Sequence, residues 1–156
     1  MRIHICAVGR MRSGPERDLM TDYLDRFTRT GRPLALGPAH VQEVEDKRGG
    51  GMAAEAPLLA RAIPHGALMV AMDERGADHS SPEFAALLAR WRDAGHQDLA
   101  FVIGGADGID RSLRAQAGHA ISLGRMVWPH MLVRVMLAEQ LYRASTILSG
   151  GPYHRS

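Results

Sequence analysis

Three short runs constrain this chain more than any other feature: Ile3-His4-Ile5-Cys6-Ala7-Val8, Ala67-Leu68-Met69-Val70-Ala71-Met72 and Leu99-Ala100-Phe101-Val102-Ile103. None alternates apolar with polar residues, as a strand with one wet face would, and each ends at a glycine-bearing or charged turn. Runs of this kind are strands covered on both faces, the signature of a parallel sheet with helices on either side. The intervening segments agree. Leu19, Met20, Tyr23, Leu24 and Phe27 fall at helical spacing after Pro15, and Gly31 and Pro33 end that helix.

The rest of the chain fills in an α/β layer fold. A short strand is expected around 34–44, then a loop at Lys47-Arg48-Gly49-Gly50-Gly51. The Ala/Leu-rich segment 52–63 reads as a helix, with Pro57 in its first turn or breaking it. The strand at 67–72 closes at Asp73-Glu74-Arg75-Gly76. Ser81 as N-cap, Pro82 at the first helical position and Gly95 as the stop define a helix over 80–95. A polar helix at 108–118 and a weak strand at 119–123 lead to Pro129, where the last helix begins. There is no repeat and no linker, so one domain over residues 1–156 is expected.

Composition excludes several classes. No stretch approaches the roughly 20 apolar residues of a membrane-spanning helix, and the N-terminal apolar run is too short for a signal peptide, so the expected location is the cytoplasm. Cys6 is the only cysteine and lies inside an apolar run, where a buried thiol is expected. The eight histidines lack His-x-x-x-His spacing, and no Cys-x-x-Cys accompanies them, so no metal site is expected. Lys and Arg number 19 against 17 Asp and Glu, and Lys47 is the only lysine. An Arg-rich surface suits phosphate contact and base stacking, and so suits RNA; a GC-rich genome would produce the same bias.

Ligands of parallel α/β sheets sit at the carboxyl ends of strands. Three exits stand out: Met72 to Gly76, Gly104-Gly105-Ala106-Asp107-Gly108, and Leu123-Gly124-Arg125-Met126. Glycine there admits a ligand close to backbone amides, or simply permits a tight turn. A dinucleotide fingerprint fails because Ile103 stands where its first glycine is required and no acidic residue follows at the proper distance. A P-loop fails for want of Gly-Lys-Ser/Thr, and no Gly-x-Ser-x-Gly elbow exists.

The combination of Ala71-Met72-Asp73-Glu74-Arg75-Gly76 with Ser80-Ser81-Pro82-Glu83-Phe84, of Phe101 to Gly108, and of Trp128 to Ala144 with a terminal Pro152-Tyr153-His154-Arg155 resembles the RlmH family. These are SPOUT-class methyltransferases of N3 of a pseudouridine in large-subunit ribosomal RNA. The resemblance spans the whole chain. It implies a C-terminal trefoil knot, a homodimer, and S-adenosylmethionine held by Met72, Gly104 and the run Leu123, Gly124, Arg125, Met126, Val127, Trp128, mostly through backbone. The implied substrate is ribosomal RNA in the large subunit or the assembled ribosome. Two other readings stay open: a ribosome-binding factor of the same fold without transfer activity, and a nucleotide-binding oxidoreductase subunit.

The last helix looks covered on more than one face, since Val133, Met136, Leu137, Leu141, Ala144, Ile147 and Leu148 share an arc while Val135 and Tyr142 lie opposite. That pattern fits a dimer contact or a helix sunk within its own domain. Glu139 and Arg143 are spaced to pair. His130, in the first turn, is disfavoured as imidazolium and could cap the helix or relay a proton. Gly150-Gly151-Pro152 redirects the chain, so the tail can return to a cofactor pocket in its own subunit or its partner. There Tyr153 would stack on or hydrogen-bond an extruded base, His154 take the N3 proton, and Arg155 hold a phosphate or the developing anion.

Overall fold

The computed structural model describes residues 1–154. Its five strands, β1 (Arg2–Val8), β2 (Ala39–Val44), β3 (Leu68–Asp78), β4 (Asp98–Ile103) and β5 (His119–Ser122), form one sheet in the order β2-β1-β4-β3-β5. Every pairing is parallel. The three continuous apolar runs are the three central strands, as their two-sided burial requires. Ile3, Ile5, Leu99 and Phe101 point into the layer of α1 (Pro15–Gly31), α3 (Ser81–Asp93) and α5 (His130–Leu148). Cys6, Ala71, Ala100 and Val102 point the other way, under Leu59 of α2 (Gly51–Ala62) and Leu113 of α4 (Arg111–Ala115). Burying each large side chain here is worth about 1.5–3 kcal/mol. Cys6 is fully buried, and desolvation pushes its thiol up to about 11.

Several boundaries differ from the sequence reading, each for a local reason. The chain turns through a short 3-10 segment at Arg32–Leu34, with positive φ at Ala35 and Gly37, so β2 begins only at Ala39. Pro57 lies inside α2 rather than in its first turn; it is exposed, as is Ala53, whose carbonyl loses its helical donor and meets water instead. β3 does not close at Asp73. It runs on to Asp78 through a register break between Met72 and Ala77 and pairs β5 again beyond it. The N-cap of α3 is Ser80, one residue earlier than expected, because Ser80 and Glu83 form a reciprocal capping box. The expected helix at 108–118 shrinks to Arg111–Ala115, since Gly108 has φ 87 and Asp110 caps the helix.

The last helix is covered almost all round. Leu132 is its one exposed residue, and Leu137, Ala138, Leu141 and Ala144 are sealed in the core. Glu139 and Arg143 pair as their spacing predicts, at 2.7 Å. No helix among the described residues is long and apolar enough to cross a membrane. Because all strands run one way, their carboxyl ends share one edge of the sheet, and the site is built there.

Candidate active site

A cleft of about 570 Å³ opens at that edge, within the size range of small-molecule sites. Met72 and Ile103, register partners at the ends of β3 and β4, line its base together with Ile121. The loop Gly104–Gly108 forms one wall and Leu123–Val133 the other. Of the residues expected to hold a cofactor, Met72, Gly104, Leu123, Gly124, Met126, Val127 and Trp128 line this one cleft. Arg125 belongs to the same loop but is not among the lining residues.

The two glycines serve different needs. A Cβ on Gly104 would sit 2.1 Å from the Gly108 carbonyl oxygen, so the turn itself, closed by a Gly108 N–H bond to the Gly105 carbonyl, excludes any side chain. Gly124 has open space around it but a φ of 108, which L side chains rarely adopt. Ser122 locks that second turn, accepting from the Gly124 N–H at 3.1 Å and donating to its carbonyl at 3.0 Å. The rim is apolar and open: Met126 is 71% and Val127 83% exposed.

Polar groups converge on the cleft from three sides. The Asp73 side chain is nearly buried, and Arg75 and Arg114 reach it at 3.1 and 3.0 Å. Burial would raise its carboxyl; the bonds from Arg75 and the charge of Arg114 outweigh this and hold it below its ordinary value. His130 lines the opposite wall, where burial first and the Arg134 charge second push the imidazole down, so it is neutral near pH 7. Arg134, fully buried one turn along α5, donates to Glu43 at 3.0 Å, to the Gly9 carbonyl at 2.8 Å and to the Val8 carbonyl. Glu43 also accepts from the Met11 N–H at 2.8 Å. One guanidinium thus ties the start of α5 to the ends of β1 and β2.

Sequence reasoning placed Asp73 within one of the three strand exits without giving it a role, and did not find Arg134, which braces the start of α5 behind the cleft wall. Asp73 carried the signal of an acid directly after a buried strand. Arg134 carried none, because its partner is 91 positions away.

The tail lies elsewhere. Tyr153 folds back on α5, its hydroxyl donating to Glu139 at 3.1 Å, its ring 4.6 Å from that of Tyr142 and beneath Arg143. Burial, then hydrogen bonding with Tyr23 and Glu139, pushes the phenol up, so it stays protonated. Glu139 is six positions beyond Val133, the last α5 residue lining the cleft, about 9 Å along the axis, so within one subunit the Tyr153 hydroxyl is held off the cleft wall. Nδ1 of His154 is buried with no hydrogen-bond partner among the described residues. Arg155 lies outside the described residues.

Comparison with known proteins gives these features a context. A family model described as "Predicted SPOUT methyltransferase" matches residues 1–154. Proteins named ribosomal RNA large subunit methyltransferase H are similar along the full length. The one from Ruegeria sp. (strain TM1040) is 68% identical over 99% of both chains, and the one from Roseobacter denitrificans 69% identical over 100% of both. A solved structure of a probable methylase family protein from Haemophilus influenzae Rd KW20 shares the fold, with a TM-score of 0.53 over 99% of this chain and 70% of that one at 12% identity. Matched to the family model over every described residue, the chain belongs to the SPOUT methyltransferase family.

Proposed function

We propose that this chain transfers a methyl group from S-adenosylmethionine to N3 of a pseudouridine in large-subunit ribosomal RNA. It acts as one catalytic domain over residues 1–156, in a cytoplasmic homodimer, on the large subunit or the assembled ribosome. The observation that carries this reading is the gathering of Met72, Gly104, Leu123, Gly124, Met126, Val127 and Trp128 around one cleft at the strand exits. The names of the full-length relatives support the substrate class.

The residues present fit that cofactor. It carries no phosphate, and the wall loops offer backbone amides and carbonyls with apolar Met72, Leu123 and Met126 rather than a lysine-bearing anion nest. Glu74 and Asp107 place carboxylates on a cleft that must accept a sulfonium cation, whereas Asp73 is already paired with Arg75 and Arg114. Bound there, S-adenosylmethionine supplies an electrophilic methyl group. The protein has two remaining tasks: to hold the extruded base in line and to remove its N3 proton. Tyr153 is held by Glu139, about 9 Å along α5 from Val133 at the wall of its own cleft, so the tail that serves a cleft is that of the second copy. His154 of the partner subunit takes the proton, Arg155 of the partner subunit steadies the anion or a phosphate, and Tyr153 of the partner subunit packs on the base. The trefoil knot belongs to the same proposal. It is supported by the match of residues 1–154 to the SPOUT methyltransferase family model.

Mass mapping of modified nucleosides in ribosomal RNA from a deletion strain, with and without the restored gene, tests the function. Loss and return of one N3-methylated pseudouridine is expected. An unchanged modification map refutes it, and ribosome binding without tritiated methyl transfer identifies a non-catalytic factor.

A further inference from the structure

Beside the cofactor cleft the same edge of the sheet carries a second depression, of about 590 Å³, between the β1–α1 loop, α1 and β2. Arg10, Arg12 and Arg17 line it. All three are exposed, and among the described residues none has a side-chain hydrogen bond or an ion pair. The two carboxylates on this surface are Asp25 and Glu43, and Glu43 is already held by Arg134 and the Met11 N–H. Three guanidiniums line the depression against two carboxylates, a surplus of one positive charge, and Arg134 compensates Glu43 from beneath. The loop carrying Arg10 and Arg12 is fixed rather than loose, since Met11 is buried at its centre and Arg134 anchors its first residue through the Gly9 carbonyl, and Arg17 stands on the first turn of α1. Gly9, next in the chain to Arg10, stands close to the wall of the cofactor cleft: a Cβ on it would be 3.4 Å from Nε2 of His130.

We propose that this depression seats the phosphodiester backbone of RNA flanking the nucleotide presented to the cofactor cleft. Unpaired, exposed arginines with a fixed loop beneath them suit phosphate oxygens, and contacts of this kind set register without reading sequence. The assignment rests on the proposed function for the identity of the RNA, and it locates where that RNA lies.

The test combines binding and kinetics on large ribosomal subunits purified from a deletion strain, with Arg10→Gln, Arg12→Gln and Arg17→Gln singly and together. Arg61→Gln, an exposed arginine in the last turn of α2, is the control. Each single change should raise the KM for subunits about three- to tenfold and flatten the log–log salt dependence of binding by about 0.7–0.9, measured between about 50 and 200 mM salt. The calorimetric affinity for S-adenosylmethionine, kcat and the circular dichroism spectrum should not move, and Arg61→Gln should behave as wild type. An unaltered KM and salt slope in the triple variant overturns the inference while leaving the proposed function standing. Absence of methyl transfer by the wild type sinks the proposed function, and the binding slope still decides the surface. Weakened binding to subunits with unchanged binding to protein-free ribosomal RNA would assign the surface to a ribosomal protein, and would overturn the inference too.

Discussion

Replacing Arg134 with Met tests how the start of α5 is held. The side chain is fully buried and serves Glu43, the Gly9 carbonyl and the Val8 carbonyl. Methionine fills most of the same space, so the loss is almost wholly polar. Breaking a buried ion pair costs about 3–5 kcal/mol. The Glu43 side chain, however, is 28% exposed and keeps the Met11 N–H, so hydration recovers part of that cost. The Gly9 and Val8 carbonyls each lose a donor, at about 1 kcal/mol or more apiece where water cannot reach. A net loss of about 3–4 kcal/mol is expected, a large fraction of a typical domain's stability.

Urea denaturation followed by circular dichroism should show a lower midpoint at an unchanged m-value. A double-mutant cycle with Glu43→Gln should return a coupling of about 1–2 kcal/mol, since the two groups share one network. A second readout is independent of stability. Arg134 is one of the two groups of forces holding the His130 imidazole down, after burial, so its removal should raise the His130 titration midpoint in NMR. An Arg134→Met protein as stable as wild type, with His130 unmoved, would refute the reasoning.

Other outcomes follow from the same structure. Asp98 is held down to about 2 first by the Arg2 hydrogen bond, against burial and with help from His4. Its folded value is depressed, so its stabilisation is present above the ordinary 3.8 and is lost as pH falls through about 2; Asp98→Asn should destabilise at pH 7 and become neutral near pH 2, measured by denaturation across pH. Gly104→Ala must push the Gly108 carbonyl aside, so calorimetric affinity for S-adenosylmethionine should fall at least about tenfold with a native circular dichroism spectrum, whereas an unchanged affinity removes this turn from the site. Truncation after Gly151 should leave cofactor binding intact and abolish methyl transfer, and mixing the truncated chain with Gly104→Val should restore part of the activity if tails act across a dimer. Gln140→Glu puts a charge beside Glu139 in a part-buried network with Ser81, so sedimentation should shift toward monomer and activity should fall with it.

What the sequence revealed was what local pattern encodes. The three central strands were legible because two-sided burial writes itself as an unbroken apolar run, and α1 because its apolar residues recur at helical spacing. β2 was blurred because His40, Gln42 and Glu43 belong to an edge strand with little burial to enforce a pattern. The continuation of β3 through Asp73-Glu74-Arg75 was hidden because its second contact with β5 depends on Gly76, where a Cβ would meet the backbone of Ala120 and Ile121 at 2.6 Å. That closeness is tertiary and leaves no mark on neighbouring residues. In the site, glycines directly after buried strands pointed to both walls of the cleft. Arg134 was invisible, since a charged residue between Val133 and Val135 reads like a solvated position until Glu43 arrives from another strand.

Two features of the single chain are incomplete, and they are incomplete in complementary ways. The rim of the cleft leaves Met126 and Val127 largely in water, an arrangement that costs solvation free energy and that a covering surface would relieve. The tail, for its part, folds back on α5, with Tyr153 gripped by Glu139, Tyr142 and Arg143, and so stands off the cleft its proposed chemistry would serve. The homodimer proposed above would meet both, if a second copy of the chain is laid so that each tail lies across the other's rim. Such an arrangement would also give the grip on the tail a use. A free terminus would have to be ordered at each encounter with RNA, at about 1–2 kcal/mol per residue, whereas one docked on its own α5 meets the base already in place.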